Sequence, residues 1–172
     1  MEDLTAMRIE RRQGTLEIDG ITVECRICVP LEPHTEYNLS LEFAVRQGTA
    51  PTAMRLKTYS AEFVLFDNET ENSIRLTDGV SNSSSFRLRT GQESGKLSVF
   101  NEYLHSYKKG VELGYECMTG DSGIVITKRE GETIHFACNN RSPREQLAFE
   151  DVTGTLTVTK VGSAEDHSIA PV

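Results

Sequence analysis

From Tyr37 to Val45 the chain alternates: Tyr37, Leu39, Leu41, Phe43 and Val45 are apolar, with Asn38, Ser40 and Glu42 set between them. Successive side chains of a strand point to opposite faces, so such a run reads as a strand with one face in a core and one in water. A second run, Ile21 to Val29, puts Ile21, Val23, Cys25, Ile27 and Val29 on one face and Thr22, Glu24, Arg26 and Cys28 on the other. Shorter runs recur at 54–58, 61–66, 73–77, 86–89, 111–117, 124–127, 133–138 and 155–161. Turn residues separate them. Asp19-Gly20 divides LEI from ITV as a two-residue hairpin, and REGE (129–132) joins IVITK to TIHFA. GDSG, GQESG and SNSSS punctuate the remainder. About 10–12 short strands at this spacing predict an all-β fold, an antiparallel β-sandwich or barrel. One short helix is expected within VFNEYLHSYKKG (99–110), where Phe100, Leu104 and Tyr107 fall at helical spacing before Lys-Lys-Gly.

The 172 residues suffice for one domain with its own core, and no repeat or linker divides them. The domain is read as 1–161, with a polar tail over 162–172 expected to fray. Tryptophan is absent, so the core must come from Leu, Ile, Val, Phe and Tyr. A net charge of −8 repels phosphate backbones, so nucleic acid is not an expected partner. No apolar run approaches the roughly 18 residues that cross a bilayer, so no membrane insertion is expected. The start, MEDLTAMRIERRQG, is acidic and lacks the apolar region of a secretory signal.

Asn38, Asn68, Asn82 and Asn140 are each followed two residues on by Ser or Thr, the pattern of a glycosylation acceptor. Threonine-rich β sequences also produce that triplet without any glycan. The compartment is therefore read as intracellular or virion-associated, with a secreted mature chain as the alternative.

Residues 31–48 carry a corner. Pro33 stiffens the incoming turn, and Tyr37 is placed to turn its ring inward while its hydroxyl satisfies a backbone group. Leu31, Pro33, Thr35, Tyr37, Ala44, Val45 and Gly48 resemble the corner of fibronectin type III domains. Pro33, Tyr37 and Ser40 are similar to the strand entrance of carbohydrate-binding jelly rolls, which are also appended to phage tail proteins. In fibronectin domains the corner comes late, whereas here thirty residues precede Leu31, so the jelly roll is the closer resemblance. It implies a jelly-roll-like sandwich without enzymatic activity, binding a glycan or a protein or assembling with its own copies in a virion or surface structure. Sugars stack on aromatic rings in such modules, which makes Tyr59, Tyr103, Tyr107 and Tyr115 the candidate ligand-binding residues.

Gly-Asp-Ser-Gly (120–123) resembles the nucleophile motif of chymotrypsin-like serine proteases. That resemblance implies Ser122 as nucleophile, His34 as general base and Asp67 as the group orienting the imidazole. The match is partial. Ile124 stands where the family continues with glycine and proline, His34 lacks the small-residue setting, and NETENS follows Asp67. The motif also consists entirely of turn residues, which an all-β chain generates freely. The protease is therefore the alternative to a binding module.

Cys25-Arg-Ile-Cys28 has zinc-pair spacing, but on a strand its two thiols point to opposite faces and cannot share one ion. His135-x-x-Cys138 meets the same objection, and a Cys117–Cys138 disulfide stays open. FDNETENS (66–73) places Asp67, Glu69 and Glu71 in one loop, a candidate for a structural Ca²⁺ although it lacks the EF-hand glycine. GQESGKLS (91–98) resembles a phosphate loop but carries Leu97 where Ser or Thr would meet Mg²⁺, so it reads as a hairpin turn. No other cofactor is expected.

Overall fold

The computed structural model describes residues 15–18, 20–47, 49, 52–77, 83–105, 114–116, 123–140 and 149–163. The first strands are β1 (Thr15–Ile18), β2 (Ile21–Glu24), β3 (Ile27–Leu31), β4 (Thr35–Val45) and β5 (Thr52–Tyr59). They are followed by β6 (Ala61–Val64), a short 3-10 turn at Phe66–Asn68, β7 (Thr70–Glu71), β8 (Ser73–Thr77) and β9 (Ser83–Thr90). Last come β10 (Gly95–His105), β11 (Gly114–Glu116), β12 (Gly123–Glu130), β13 (Thr133–Asn139) and β14 (Val152–Ser163). They form two antiparallel sheets. The wide sheet has nine strands in the order β1-β2-β12-β13-β14-β4-β9-β6-β7. The narrow sheet runs β11-β10-β5-β8, with β3 beside β11 on the same edge of β10.

The pairings nest. β5 pairs with β8, β4 with β9, β3 with β10 and β2 with β12, all around the β6–β7 hairpin. A chain paired in this way is one long hairpin rolled on itself, the jelly-roll-like architecture expected from the sequence. Rolling brings β14 beside β4 and β10 beside β5, and the β12–β13 hairpin is inserted between β2 and β14.

Between the sheets lies one core. The wide sheet supplies Tyr37, Leu39, Leu41, Phe43, Leu88, Phe136 and Leu156, and the narrow sheet Met54, Leu56, Leu97 and Val99, all buried. Burying each such side chain contributes about 1.5–3 kcal/mol, so this seam is the main stabilising term. The corner forms as its residues require. Tyr37 is buried, and its hydroxyl oxygen accepts the Glu32 N–H at 2.8 Å. The Thr90 hydroxyl accepts the Thr35 N–H at 3.0 Å and donates to the Glu32 carbonyl at 2.5 Å. The Gly131-Glu132 loop closes β12 onto β13, with Gly131 at φ +57°, as a two-residue hairpin demands.

Three expectations change. The alternating run from Ile21 to Val29 is two strands in two sheets, and the chain crosses between them at Cys25-Arg26. Both sheets face the same core, so Val23, Cys25 and Ile27 stay buried in turn and the pattern hides the crossing. The helix expected over 99–110 is strand as far as His105, with 106–110 outside the described residues. Ladder pairing with β5 on one edge and with β3 and β11 on the other outweighs the helical spacing of Phe100 and Leu104. Finally, β14 continues through Gly162 and Ser163, which had been read as the start of the tail, with an irregularity between Lys160 and Gly162.

Candidate functional site

The residues named from sequence scatter. His34 is exposed at the tip of the β3–β4 turn, at φ +50°, where its N–H donates to the Gly91 carbonyl at 2.8 Å. Asp67 is exposed in the 3-10 turn after β6, at φ +59°. No hydrogen bond or ion pair joins these side chains. Ser122 lies outside the described residues. Its neighbour Gly123 pairs with Asn139, beside Cys138, Val152 and Val45. His34 adjoins Thr35 at the other end of the eleven-residue β4. At ~3.4 Å per residue, β4 separates those ends by about 35 Å.

The two described candidate tyrosines, Tyr59 and Tyr103, do not share a surface. Tyr59 is 46% exposed, with the Lys96 ammonium 4.8 Å from its ring centre. Tyr103 is 1% exposed and faces the core, so it is not open to a ligand. Tyr107 and the side chain of Tyr115 lie outside the described residues. Glu69 and Glu71 are exposed like Asp67. Among the described residues no group of three His, Cys, Asp or Glu side chains converges as a metal site. No helix among them is long and apolar enough to cross a membrane.

One end of the sandwich holds a buried polar cluster. Asn101, Asn140, Asp151 and Thr52 are each 3% exposed or less. Asn140 accepts from the Asn101 amide and donates to the Thr52 hydroxyl, both at 2.8 Å. The Asp151 carboxylate accepts the Asn140 N–H at 2.9 Å and an Arg46 Nη2 proton at 3.0 Å. These bonds tie β5, β10 and the β13–β14 connection together across the two sheets. They also remove one sequence candidate: Asn140 has no exposed amide to carry a glycan, whereas Asn38 and Asn68 are exposed and Asn82 lies outside the described residues.

Cys138 borders this cluster. Burial, helped by the nearby Asp151 charge, pushes its thiol far above the usual range. Cys25 is buried, Cys28 is exposed, and all three of these cysteines are free thiols. Native iodoacetamide labelling at pH 8 is therefore expected to modify Cys28 and spare Cys25 and Cys138 in a peptide map. Labelling of Cys138 as fast as Cys28 would show that the cluster opens readily.

A surface of a different kind covers the outer face of the wide sheet. Thr153, Thr155, Thr157 and Thr159 of β14 all point outward, opposite Ala44, Glu42, Ser40 and Asn38 of β4. On the next strand, Ser83, Ser85 and Arg87 of β9 lie opposite Glu42, Ser40 and Asn38. Two shallow open grooves follow one another along this strip. The first, about 780 Å³, runs from Thr127, His135 and Ala137 past Thr153 and Thr155 to Glu42 and Ser83. The second, about 620 Å³, continues past Asn38, Ser40, Thr157 and Thr159 to Val64, Leu65 and Phe66. From Ala44 to Asn38 the trough extends about 20 Å at ~3.4 Å per residue. Phe66 ends it, 88% exposed.

The trough sets hydroxyl and amide groups among apolar ones, Ala44, Ala137, Val64 and Leu65 among them, and Glu42 is exposed within it. Glu36 pairs with Arg87 at 3.5 Å, and His135 meets the Glu130 carboxylate at 3.3 Å. Hydrogen bonds from Lys128 and then His135 hold the Glu130 carboxyl below its ordinary range. From the sequence, 155–161 reads only as one of the short alternating runs, and Phe66 as part of an acidic loop. No protein-family model, curated protein or solved structure matches the chain.

Proposed function

We propose that the protein is a non-enzymatic binding module that holds a neutral glycan chain in the trough on the wide sheet. The observation that carries this reading is Phe66, 88% exposed at the end of a groove where Asn38, Ser40, Ser85, Thr157 and Thr159 lie beside Val64 and Leu65. An isolated, fully exposed phenylalanine is costly to hydrate, and a sugar ring offers it an apolar face to cover. Short hydroxyl and amide groups match the alternating donors and acceptors of a sugar edge. They sit on paired strands, so little side-chain freedom is lost on binding. Tyr59, on the opposite sheet, stands outside this site.

Binding to neutral oligosaccharides chosen from a glycan array tests the reading. Phe66→Ala is expected to weaken affinity at least tenfold, equivalent to about 1.4 kcal/mol, with Tm unchanged. Tyr59→Ala is expected to leave it unchanged. Equal binding by the Phe66 variant would remove the stacking role.

A further inference from the structure

We propose that the β5–β8 side of the outer face of the narrow sheet, together with the outer edge of β8, docks an extended acidic polypeptide segment. The register places Arg55 and Lys57 of β5, Arg75 of β8 and Lys96 of β10 on this one face. Glu102 is the one carboxylate that the described strands put there, and it is 6% exposed. A chain with net charge −8 has thus gathered cations on one side of one sheet. Such sorting creates a local positive potential against the sign of the whole molecule, which attracts and orients an acidic partner.

The face is also preorganised. Glu102 holds Arg75 through a hydrogen bond from Nε at 2.7 Å, and the Arg55 Nε lies 3.7 Å from the same carboxylate on the strand between. Lys57 and Lys96 have no ion-pair partner among the described residues. Lys96 instead lies over the exposed Tyr59 ring.

The edge decides which acidic partner fits. Among the described residues β8 pairs with β5 and with no strand on its other side, the position where an added strand would extend the sheet. A strand added there lies about 4.8 Å from β8 and turns every second side chain onto the cationic face. Carboxylates at alternate positions then meet Arg75, with Arg55 and Lys57 behind it. A sulfated polysaccharide would satisfy the charges but not the main-chain edge, so a peptide uses more of what this surface offers.

The test is fluorescence anisotropy with a labelled nine-residue peptide alternating Glu with Thr and Val. Comparison probes are the same peptide with Lys for Glu, a version with its Glu residues in one block, and a heparin-derived oligosaccharide. The alternating acidic peptide is expected to bind at 50 mM NaCl and to weaken at least tenfold at 300 mM. It should bind tighter than the blocked peptide, and the lysine peptide should not bind. Lys57→Glu and Lys96→Glu, which remove no buried contact, are each expected to weaken it at least fivefold with Tm unchanged. The proposal is overturned if the acidic peptide does not bind at low salt or if both lysine variants bind it normally. It is equally overturned if the oligosaccharide binds while the peptide does not.

Discussion

An Arg46→Met variant is expected to lose about 2–4 kcal/mol of folding stability, far more than an exposed ion pair is worth. The Arg46 side chain is 42% exposed and resembles a surface cation, but the carboxylate it serves is 1% exposed. Asp151 accepts from Arg46 Nη2 at 3.0 Å, and its second oxygen accepts the buried Asn140 N–H at 2.9 Å. Removing the guanidinium takes a cation from a carboxylate that is 1% exposed, and the penalty belongs to the buried acid. Asp151→Asn should cost less than Arg46→Met, because the amide oxygen still accepts the Asn140 N–H. The double variant should then be more stable than Arg46→Met alone. Lys128→Ala, which removes an exposed ion pair with Glu130, is the control and is expected to leave the urea midpoint unchanged. Urea denaturation of the four variants checks the series. A loss below about 0.5 kcal/mol in Arg46→Met would show that the buried carboxylate does not depend on this pair.

Gly154→Ala is expected to be as damaging, for a reason of space. Gly154 lies on the inward face of β14, paired with Phe43 on β4 and Phe136 on β13. A Cβ there would stand 2.4 Å from the Glu42 carbonyl oxygen and 2.6 Å from Phe136 Cζ. The ring has some freedom to shift, but the carbonyl is part of the neighbouring strand, so β4 and β14 must move apart. Overpacking of this kind costs about 1–3 kcal/mol, and the backbone clash puts Gly154→Ala at the upper end. For a chain of this length that lowers Tm by roughly 5–10 °C. Gly162→Ala, on the same strand with nothing within 4 Å, is expected to be silent. Calorimetry on both variants decides the matter; an unchanged Tm for Gly154→Ala would show that the β4–β14 pair yields easily.

Both residues illustrate what the sequence made legible. Strands with one wet face announced themselves, as in β4, and so did the hairpin at Gly131 and the corner at Tyr37. The nested pairing of β5 with β8, β4 with β9 and β3 with β10 builds the antiparallel sandwich that the strand spacing predicted. The crossing at Cys25-Arg26 was invisible, because two sheets that share a core continue one alternation between them. β10 was misread because it is buried on both faces: Ser98, Phe100 and Glu102 on one side, Leu97, Val99 and Tyr103 on the other. Such a strand loses the alternation that identifies its neighbours. The candidate site was less legible still. Its trough is assembled from β4, β9, β13 and β14, and only β14 shows its share, as the threonine spacing from Thr153 to Thr159. Phe66 looked like a loop residue because its exposure depends on where the 3-10 turn sits against the wide sheet.

Nitrogen–proton correlation NMR, titrated with the tightest neutral oligosaccharide from the array, tests the binding face most directly. The account predicts shifts concentrated on Thr153–Thr159, on Asn38–Glu42, on Ser83–Arg87 and at Phe66, with the narrow sheet undisturbed. Shifts confined to the narrow sheet, or saturating glycan with no shift along β14, would contradict it.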